Sequence, residues 1–169
     1  MSDITSITTV STPIQHKQAR SCNGCTKCCE GWLKAEIKGE WMSPGKPCRF
    51  KTDKGCGIYD ERPTEPCKTY KCLWLEDSEL VPEEFWPGST NVILTKRWTE
   101  SNIPYLEMIE AGGKLPVEVL DWAIQNVQLG IIKNFVYTVD GHRRFITSQG
   151  KFAEEIMANP GYMPNSEVK

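Results

Sequence analysis

Residues 22–29 read Cys22-Asn-Gly-Cys25-Thr-Lys-Cys28-Cys29, so half of the eight cysteines in this 169-residue chain fall in one short segment. Thiolates separated by two residues converge on one centre, because a tight turn at the intervening glycine brings both side chains to the same side. Zinc knuckles and iron-sulfur loops both use this spacing. Neighbouring side chains point in different directions. We therefore expect Cys28 and Cys29 to serve different irons or different centres, unless one of them is not a ligand.

The remaining cysteines lie between residues 48 and 72. Gly55 and Gly57 flank Cys56 and let backbone N–H groups approach its sulfur. A single buried cysteine is usually a small core residue, but eight at these spacings predict a shared metal-binding role. The candidate metal and cofactor ligands are Cys22, Cys25, Cys28, Cys29, Cys48, Cys56, Cys67 and Cys72.

The segment 22–72 is also the basic part of the chain. It holds ten Lys or Arg and seven Asp or Glu, whereas the whole chain has 20 basic and 22 acidic residues and a net charge of −2. Positive charge favours thiolates over thiols, although solvated surface lysines would produce the same count. The slightly acidic whole argues against nucleic acid as a partner.

The cellular compartment decides between disulfides and metal. No window approaches the roughly 20 apolar residues of a membrane span, and residues 1–20 lack the apolar core of a signal peptide. We therefore expect a cytoplasmic protein with no membrane association, in which thiols stay reduced. Four disulfides are the alternative for an exported chain. Disulfides would be expected to link the N-terminal and C-terminal halves of the chain, and no cysteine follows Cys72.

Over residues 22–74 the chain resembles the YkgJ-like CxxCxxCC cysteine-cluster family, described as zinc- or iron-chelating proteins. The resemblance rests on the 22–29 segment, on Cys48, and on the pattern Gly-Cys56-x-Ile-Tyr-x-x-Arg-Pro-x-x-x-Cys67-x-x-Tyr-x-Cys72-x-Trp. It implies metal binding through all eight cysteines and an iron-sulfur redox role. Flagellin lysine methylases are similar at a greater distance and carry a comparable cluster.

Thiolates bind zinc and iron-sulfur clusters alike. We favour an iron-sulfur cluster of the 4Fe-4S type, with zinc as the alternative, because an adjacent cysteine pair suits a polynuclear centre with several ligand directions. The predicted function is electron transfer, as a carrier or a redox subunit. A redox or other protein partner would dock on the acidic segment 76–84, from Glu76 to Glu84, through complementary charge.

Two other functions stay open. One is a zinc-binding structural or interaction module, and the other is a cluster-containing enzyme distantly like the flagellin lysine methylases. We predict no catalytic residue, because the two histidines, His16 and His142, have no visible acid-base partner. An electron carrier or metal-binding protein is therefore favoured over an enzyme.

The predicted fold class is α+β, with a loop-rich, metal-bound cysteine lobe followed by a small antiparallel sheet with one main helix. The predicted divisions are an N-terminal arm over 1–21, the cysteine lobe over 22–74, and an α+β lobe over 75–169 packed on it, within a single domain. Gly and Pro are dense in the cysteine lobe, which favours loops folded around metal.

Regular elements are predicted after the acidic segment. Apolar residues at 117, 120, 124 and 127, together with Gly130 past the end, predict an amphipathic helix over 116–129. A short helix is predicted from Lys151 to before Asn159. A two-residue turn at Asp140-Gly141 predicts a hairpin. The predicted strands are 91–98, 104–110, 135–139 and 142–146.

Overall fold

The computed structural model describes residues 19–22, 24–113, 116–139 and 142–158. Within these ranges the chain is a mixed α/β protein with small sheets and a few helices. The part that contains the cysteines consists mostly of turns and two small antiparallel hairpins, β1 with β2 and β3 with β4. The strands of these hairpins are β1 Ala35–Ile37, β2 Glu40–Met42, β3 Lys51–Thr52 and β4 Gly55–Cys56.

Short helical pieces connect the cysteine region to the main sheet. There are two short helices among these pieces, α1 Leu73–Glu76 and α2 Pro87–Thr90. Helix α2 starts at Pro87, where the missing proline N–H costs no hydrogen bond. The residue after its last turn, Asn91, has a left-handed backbone with φ of 56°. Single helical turns occur at Cys28–Glu30, Thr64–Lys68 and Glu83–Phe85.

The second half of the chain forms a four-stranded sheet in the order β5-β6-β7-β8. β5 pairs antiparallel with β6, and β7 pairs antiparallel with β8. The β-branched and aliphatic start of β5 is buried, which is what a strand covered on both faces requires. The strands are β5 Val92–Trp98, β6 Pro104–Glu110, β7 Asn134–Val139 and β8 His142–Thr147.

The sheet is mixed, so the prediction of an antiparallel sheet is wrong at its centre. β6 and β7 run parallel, with Leu106 opposite Phe135. The reason is the helix α3, Val117–Gln128, which lies between these two strands in the chain. Parallel neighbours need such a crossover, whereas antiparallel neighbours can be joined by a tight turn.

Two helices contribute to separate clusters of buried residues. α3 places Val119, Ala123 and Val127 in the main core cluster with residues of β5, β6 and β7. α4, Gly150–Ala158, places Phe152 and Ile156 in a second cluster with Tyr105 and Val136. Four buried residues in and after α1 also belong to the main cluster, so the cysteine region shares its core with the sheet. They are Leu73, Trp74, Val81 and Phe85.

Val117 does not belong to the buried face of α3, contrary to the sequence pattern. Its side chain is 63% exposed, whereas Val119 is 1% exposed. The buried residues follow the spacing i, i+4 and i+8 from Val119, with Leu120 and Trp122 partly buried beside them. Val117 is the first residue of the helix, so it lies at the end of the packed stripe rather than within it.

The four strands, the long helix and the C-terminal helix predicted from the sequence are confirmed, to within two residues at each end. Asp140 and Gly141 lie outside the described residues, although Val139 faces His142 across the hairpin. Residues 1–18 of the predicted arm also lie outside them. No helix in the described part of the chain is long and apolar enough to cross a membrane.

Arg20 connects the end of the predicted arm to the core. Its guanidinium donates hydrogen bonds to the carbonyl oxygens of Trp74 and Val81, at 2.6 and 2.8 Å. It also pairs with the Glu83 carboxylate at 2.8 Å, and its side chain is only 5% exposed. The guanidinium lies 4.7 Å from the centre of the Trp74 ring. Residue 20 is therefore fixed against the segment that follows the last cysteine.

Candidate metal centre

All eight cysteines line one cavity, which has a volume of about 120 Å³. One water needs roughly 10–15 Å³, so a group larger than a single water fits between the thiols. The cysteines reach the cavity from five separate pieces of chain, and all eight are free thiols. These pieces are the 22–29 loop, the residue three before β3, the strand β4, the turn Thr64–Lys68, and the residue that precedes α1.

Two glycines shape the 22–29 loop. The N–H of Cys25 donates to the carbonyl oxygen of Cys22 at 3.1 Å, which closes a tight turn around Gly24 with φ of 82°. The helical turn that follows ends at Gly31, whose φ is 93°. A Cβ at Gly31 would overlap the carbonyl oxygen of Ser43. The loop therefore depends on left-handed backbone and close approach that side chains would prevent.

Backbone hydrogen bonds bring three further cysteines together. The N–H of Cys48 donates to the carbonyl oxygen of Cys29 at 2.8 Å. The carbonyl of Cys48 accepts from the N–H of Lys51 at 3.0 Å, and Lys51 lies opposite Cys56 in the β3–β4 hairpin. The hairpin thus presents Cys48 and Cys56 to the side of the cavity where Cys29 lies.

The deepest thiol belongs to a first group of four. Burial raises the pKa of Cys28 well above its ordinary value of 9.0, and the nearby thiols of Cys72, Cys25, Cys29 and Cys22 raise it further, in that order. Burial also raises the pKa of Cys72, and the nearby thiols of Cys25 and Cys22 raise it further. These mutual effects require the sulfurs to be near one another. We call Cys22, Cys25, Cys28 and Cys72 the first thiol set.

Cys29 belongs to a different group. Burial raises its pKa to about 12, and the nearby thiols of Cys56, Cys48 and Cys67 contribute in that order, ahead of Cys25 from the first set. The pKa of Cys67 is raised by burial and then by Cys48 and Cys56, while Arg62 lowers it. We call Cys29, Cys48, Cys56 and Cys67 the second thiol set. The adjacent residues 28 and 29 therefore face different sets, and they join the two.

Backbone N–H groups point at sulfurs of the first thiol set. The N–H of Lys27 interacts with Cys25, and those of Leu75 and Trp74 interact with Cys72. Each of these donors lowers the pKa of its cysteine, against the larger effect of burial, because it stabilises the thiolate. The 22–29 loop and the start of α1 therefore contribute directed dipoles as well as thiols.

Arg62 and Tyr59 form a rigid pair at the edge of the cavity. The guanidinium lies 3.7 Å from the centre of the Tyr59 ring, and it donates to the carbonyls of Tyr59 at 2.6 Å and Cys67 at 3.3 Å. The Tyr59 hydroxyl lies 3.4 Å from the sulfur of Cys22. One arginine thus supports the second thiol set while it orients a tyrosine toward the first.

Tyr70 lies between the last two cysteines and lines the same cavity. Its hydroxyl is buried, and no described atom completes a hydrogen bond with it. Burial raises the pKa of Tyr70, an interaction of hydrogen-bond type with the Thr95 side chain lowers it, and the thiols of Cys28 and Cys72 raise it. The hydroxyl therefore lies near Thr95 as well as near thiols of the first set.

Apolar side chains form the rest of the wall. Trp74 is fixed in place, since its indole N–H donates to the carbonyl oxygen of Glu83 at 3.0 Å. Such a wall excludes water and lowers the local dielectric, which strengthens electrostatic interactions inside the cavity. The apolar lining consists of Leu33, Ile37, Met42, Pro66, Trp74, Leu75, Trp86 and Pro87.

The donor chemistry of the cavity suits a thiophilic metal or cluster. Eight thiols with buried, apolar surroundings match the ligands of zinc and of iron-sulfur centres. Within the described ranges, no three side chains of His, Cys, Asp or Glu already form a group placed to hold a metal ion. The eight thiols therefore suit a thiolate-bound centre in donor chemistry and line one cavity, but they do not form a ligand group as they stand.

The structure brings together every cysteine predicted to be a ligand. It also identifies Tyr59, Arg62 and Tyr70, to which the sequence pattern assigned no role. The sequence signal that could have pointed to these three residues is their position between Cys56 and Cys72, within the cysteine pattern itself. His142 is exposed on β8, and His16 lies outside the described residues.

The predicted docking segment 76–84 is only partly available to a partner. The Glu83 carboxylate is paired with Arg20, and the Asp77 carboxylate accepts a hydrogen bond from the N–H of Leu80 at 2.9 Å. The other carboxylates of the segment are exposed. Docking on this segment stays a prediction.

Comparison with protein-family models, with curated proteins and with solved structures finds no match to this chain. The resemblance to the cysteine-cluster family therefore stays a prediction from the motif. Inference about function depends on the geometry of the cavity and on the chemistry of its eight thiols.

Proposed function

We propose that this chain is an iron-sulfur protein that transfers electrons, as a carrier or as a redox subunit. Each thiol set holds one cluster, with 4Fe-4S as the favoured type. The observation that carries the proposal is the convergence of eight free thiols, from five pieces of chain, on one cavity. An unfilled cavity of this kind would leave many partly buried sulfurs without partners, whereas thiolates that bind metal use all of them.

The raised pKa values set a condition on metal binding. Burial and mutual repulsion make the Cys28 and Cys29 thiolates unfavourable in the absence of a positive charge. A coordinating thiol is deprotonated, so a metal that binds here must displace protons from these thiols. Its affinity should therefore fall as the pH is lowered.

The chain's own groups then determine how the site behaves. When bound, an iron-sulfur cluster supplies a one-electron redox couple. The apolar wall keeps water away, the Lys27 and Leu75 N–H groups stabilise sulfur charge, and Arg62 places a positive charge near Cys67. We place this function in a reducing compartment, the cytoplasm, where the thiols remain available.

Zinc is the second candidate, and one observation favours it. The cysteines divide into two sets of four, which is the ligand number of a structural zinc site. In that case the protein would be a structural or interaction module without a redox couple. The cavity that the eight thiols line together with other residues has a volume of about 120 Å³, which leaves room for a polynuclear centre.

Metal analysis tests the proposal directly. The protein, purified without oxygen, should contain iron and acid-labile sulfide in near-equal amounts and absorb broadly in the visible range. Dithionite should bleach that absorption, and a mild oxidant should restore it. A variant with all eight cysteines changed to serine provides the matched control and should lack metal, sulfide and colour. Zinc without sulfide in the native protein would contradict the proposal and favour the zinc module.

A further inference from the structure

Two tyrosine hydroxyls face the first thiol set. The Tyr59 hydroxyl lies 3.4 Å from the sulfur of Cys22. Its ring cannot turn away easily, because the Arg62 guanidinium packs 3.7 Å from the ring centre and also binds the Tyr59 carbonyl. The hydroxyl is thus held beside a sulfur by a partner that is itself anchored.

The Tyr70 hydroxyl is buried and incompletely paired within the protein. No described atom meets normal hydrogen-bond distance and angle with it, and the Thr95 side chain is near enough to interact with it. A buried hydroxyl without a partner is destabilising, and native proteins rarely leave one unpaired. The backbone N–H of Tyr70 donates to the Pro66 carbonyl at 2.8 Å, which fixes where the residue lies. The cavity that Tyr70 lines is the one lined by all eight cysteines, including those of the first thiol set.

We infer that Tyr59 and Tyr70 donate hydrogen bonds to the ligated sulfurs of the first thiol set and thereby tune the centre held there. The inference rests on the proposed function, because it requires ionised sulfurs that accept hydrogen bonds. Tyr59 donates to the sulfur of Cys22. Tyr70, whose buried hydroxyl lies at the wall of the same cavity, donates to a sulfur of the same set. Both tyrosines are positioning residues and neither takes part in electron transfer itself.

The second thiol set has a different neighbour. Arg62 lies close enough to Cys67 to affect its sulfur, and it donates to the Cys67 carbonyl. A guanidinium acts on that set mainly through its charge, whereas the hydroxyls act on the first set through directed hydrogen bonds. Loss of the two hydroxyls should therefore alter one centre and leave the other unchanged.

Hydrogen bonds to cluster sulfurs raise the reduction potential, because they stabilise the more negative reduced state. Replacing Tyr59 and Tyr70 by phenylalanine removes the donors and keeps the rings. We expect the potential of one centre to fall in each single variant and further in the double variant. The double variant should favour oxidation roughly tenfold more than the native protein, which corresponds to about 59 mV for one electron.

The experiment uses the anaerobically purified native protein and the variants Tyr59→Phe, Tyr70→Phe and Tyr59→Phe/Tyr70→Phe. Tyr137→Phe is the matched control, because Tyr137 lies on β7 and does not line the cavity. Iron and sulfide contents are measured first, and both potentials are then followed by redox titration. A fall at one centre alone, with native behaviour in Tyr137→Phe, supports the inference.

The remaining outcomes are distinguishable. Native iron and sulfide content with both potentials unchanged in the double variant overturns the inference and leaves the proposed function intact. Equal shifts at both centres also overturn it. Loss of iron and sulfide from one centre only supports it, since the donors then help to retain that cluster. Zinc without sulfide in the native protein overturns both the inference and the proposed function.

Discussion

Adjacent cysteines 28 and 29 have different neighbours although they are covalently joined. The thiols that raise the pKa of Cys28 most are Cys72 and Cys25, while those that raise the pKa of Cys29 most are Cys56 and Cys48. The division follows from the short helical turn at Cys28–Glu30, where consecutive side chains project in different directions. One peptide unit thus connects the two thiol sets.

The division predicts which substitutions behave alike. Cys28→Ser should remove about half of the bound metal and one spectroscopic component, and Cys29→Ser should remove the other. Cys22→Ser should match the first variant, and Cys48→Ser should match the second. Metal analysis and low-temperature electron paramagnetic resonance of the reduced proteins provide the measurement. Identical losses in all four variants would indicate a single shared centre.

Glu155 on α4 provides a pH-dependent contact away from the cavity. Its carboxylate accepts hydrogen bonds from the Ser101 N–H at 2.9 Å and the Thr99 hydroxyl at 3.0 Å. These bonds, with the Ser101 N–H first, hold the pKa of Glu155 below its ordinary value of 4.5. The folded state therefore prefers the ionised form. Its stabilising effect is present above pH 4.5 and is lost as the pH falls through the lowered pKa.

We therefore expect Glu155→Gln to lower the urea midpoint at pH 7 and to have a smaller effect below pH 4. Glu154→Gln is the matched control, because Glu154 is exposed one position away on the same helix. Urea unfolding at a series of pH values measures both variants. A constant difference between Glu155→Gln and the native protein across that series would contradict the role of the ionised carboxylate.

At the scale of single elements, α3 determines the topology of the sheet. It carries the chain from β6 to a parallel β7, and its buried stripe contributes to the core formed with β5, β6 and β7. The stripe includes Val119 and excludes Val117, two identical side chains in the same helix. The pair separates the effect of packing from the effect of helix propensity.

Val119→Ala should lower the free energy of unfolding by about 2 kcal/mol, because two buried methyl groups are lost and a cavity remains. Val117→Ala should change it by no more than about 0.5 kcal/mol, since that side chain is largely exposed. Chemical denaturation of the metal-loaded proteins measures both. Equal losses would show that the face assigned to the helix is wrong.

At the scale of the whole molecule, apolar burial is distributed unevenly. Among the described residues of the segment 22–72, the buried apolar side chains are Ile37 and Met42, whereas the sheet and its helices contain most of the core. Two residues contribute a few kcal/mol of burial. Backbone ordering costs about 1–2 kcal/mol per residue. Under the proposed function, ligation of the cysteines supplies much of the stability of this segment.

Removal of the metal should accordingly disorder 22–72 before the sheet. Hydrogen exchange should show early loss of amide protection at β3 and β4, with protection retained in β5 and β6. The metal-loaded protein under the same conditions is the control. Equal protection of both regions in the metal-free protein would mean that the cysteines do not hold the segment together.

The sequence allowed prediction of the sheet strands and helices, because Val92 to Leu94 and the α3 stripe have strong local patterns. It did not reveal the parallel pairing of β6 with β7, since strand direction depends on where α3 packs rather than on local residues. The spacing of the eight cysteines was enough to predict that they act together. Their division into two sets depends on which residues distant in sequence lie near one another, such as Cys28 and Cys72, and no local pattern encodes this.

Arg20 has a consequence for how the site is assembled. Its bonds to Trp74 and Val81 hold the residues just outside both ends of the cysteine segment together, with no contribution from any metal. Closing a loop of this length costs on the order of 3 kcal/mol of chain entropy. The hydrogen bonds from the Arg20 guanidinium to the two carbonyl groups offset this cost. The metal of the proposed centre would therefore bind to a loop whose two ends are already held together, rather than to an open chain.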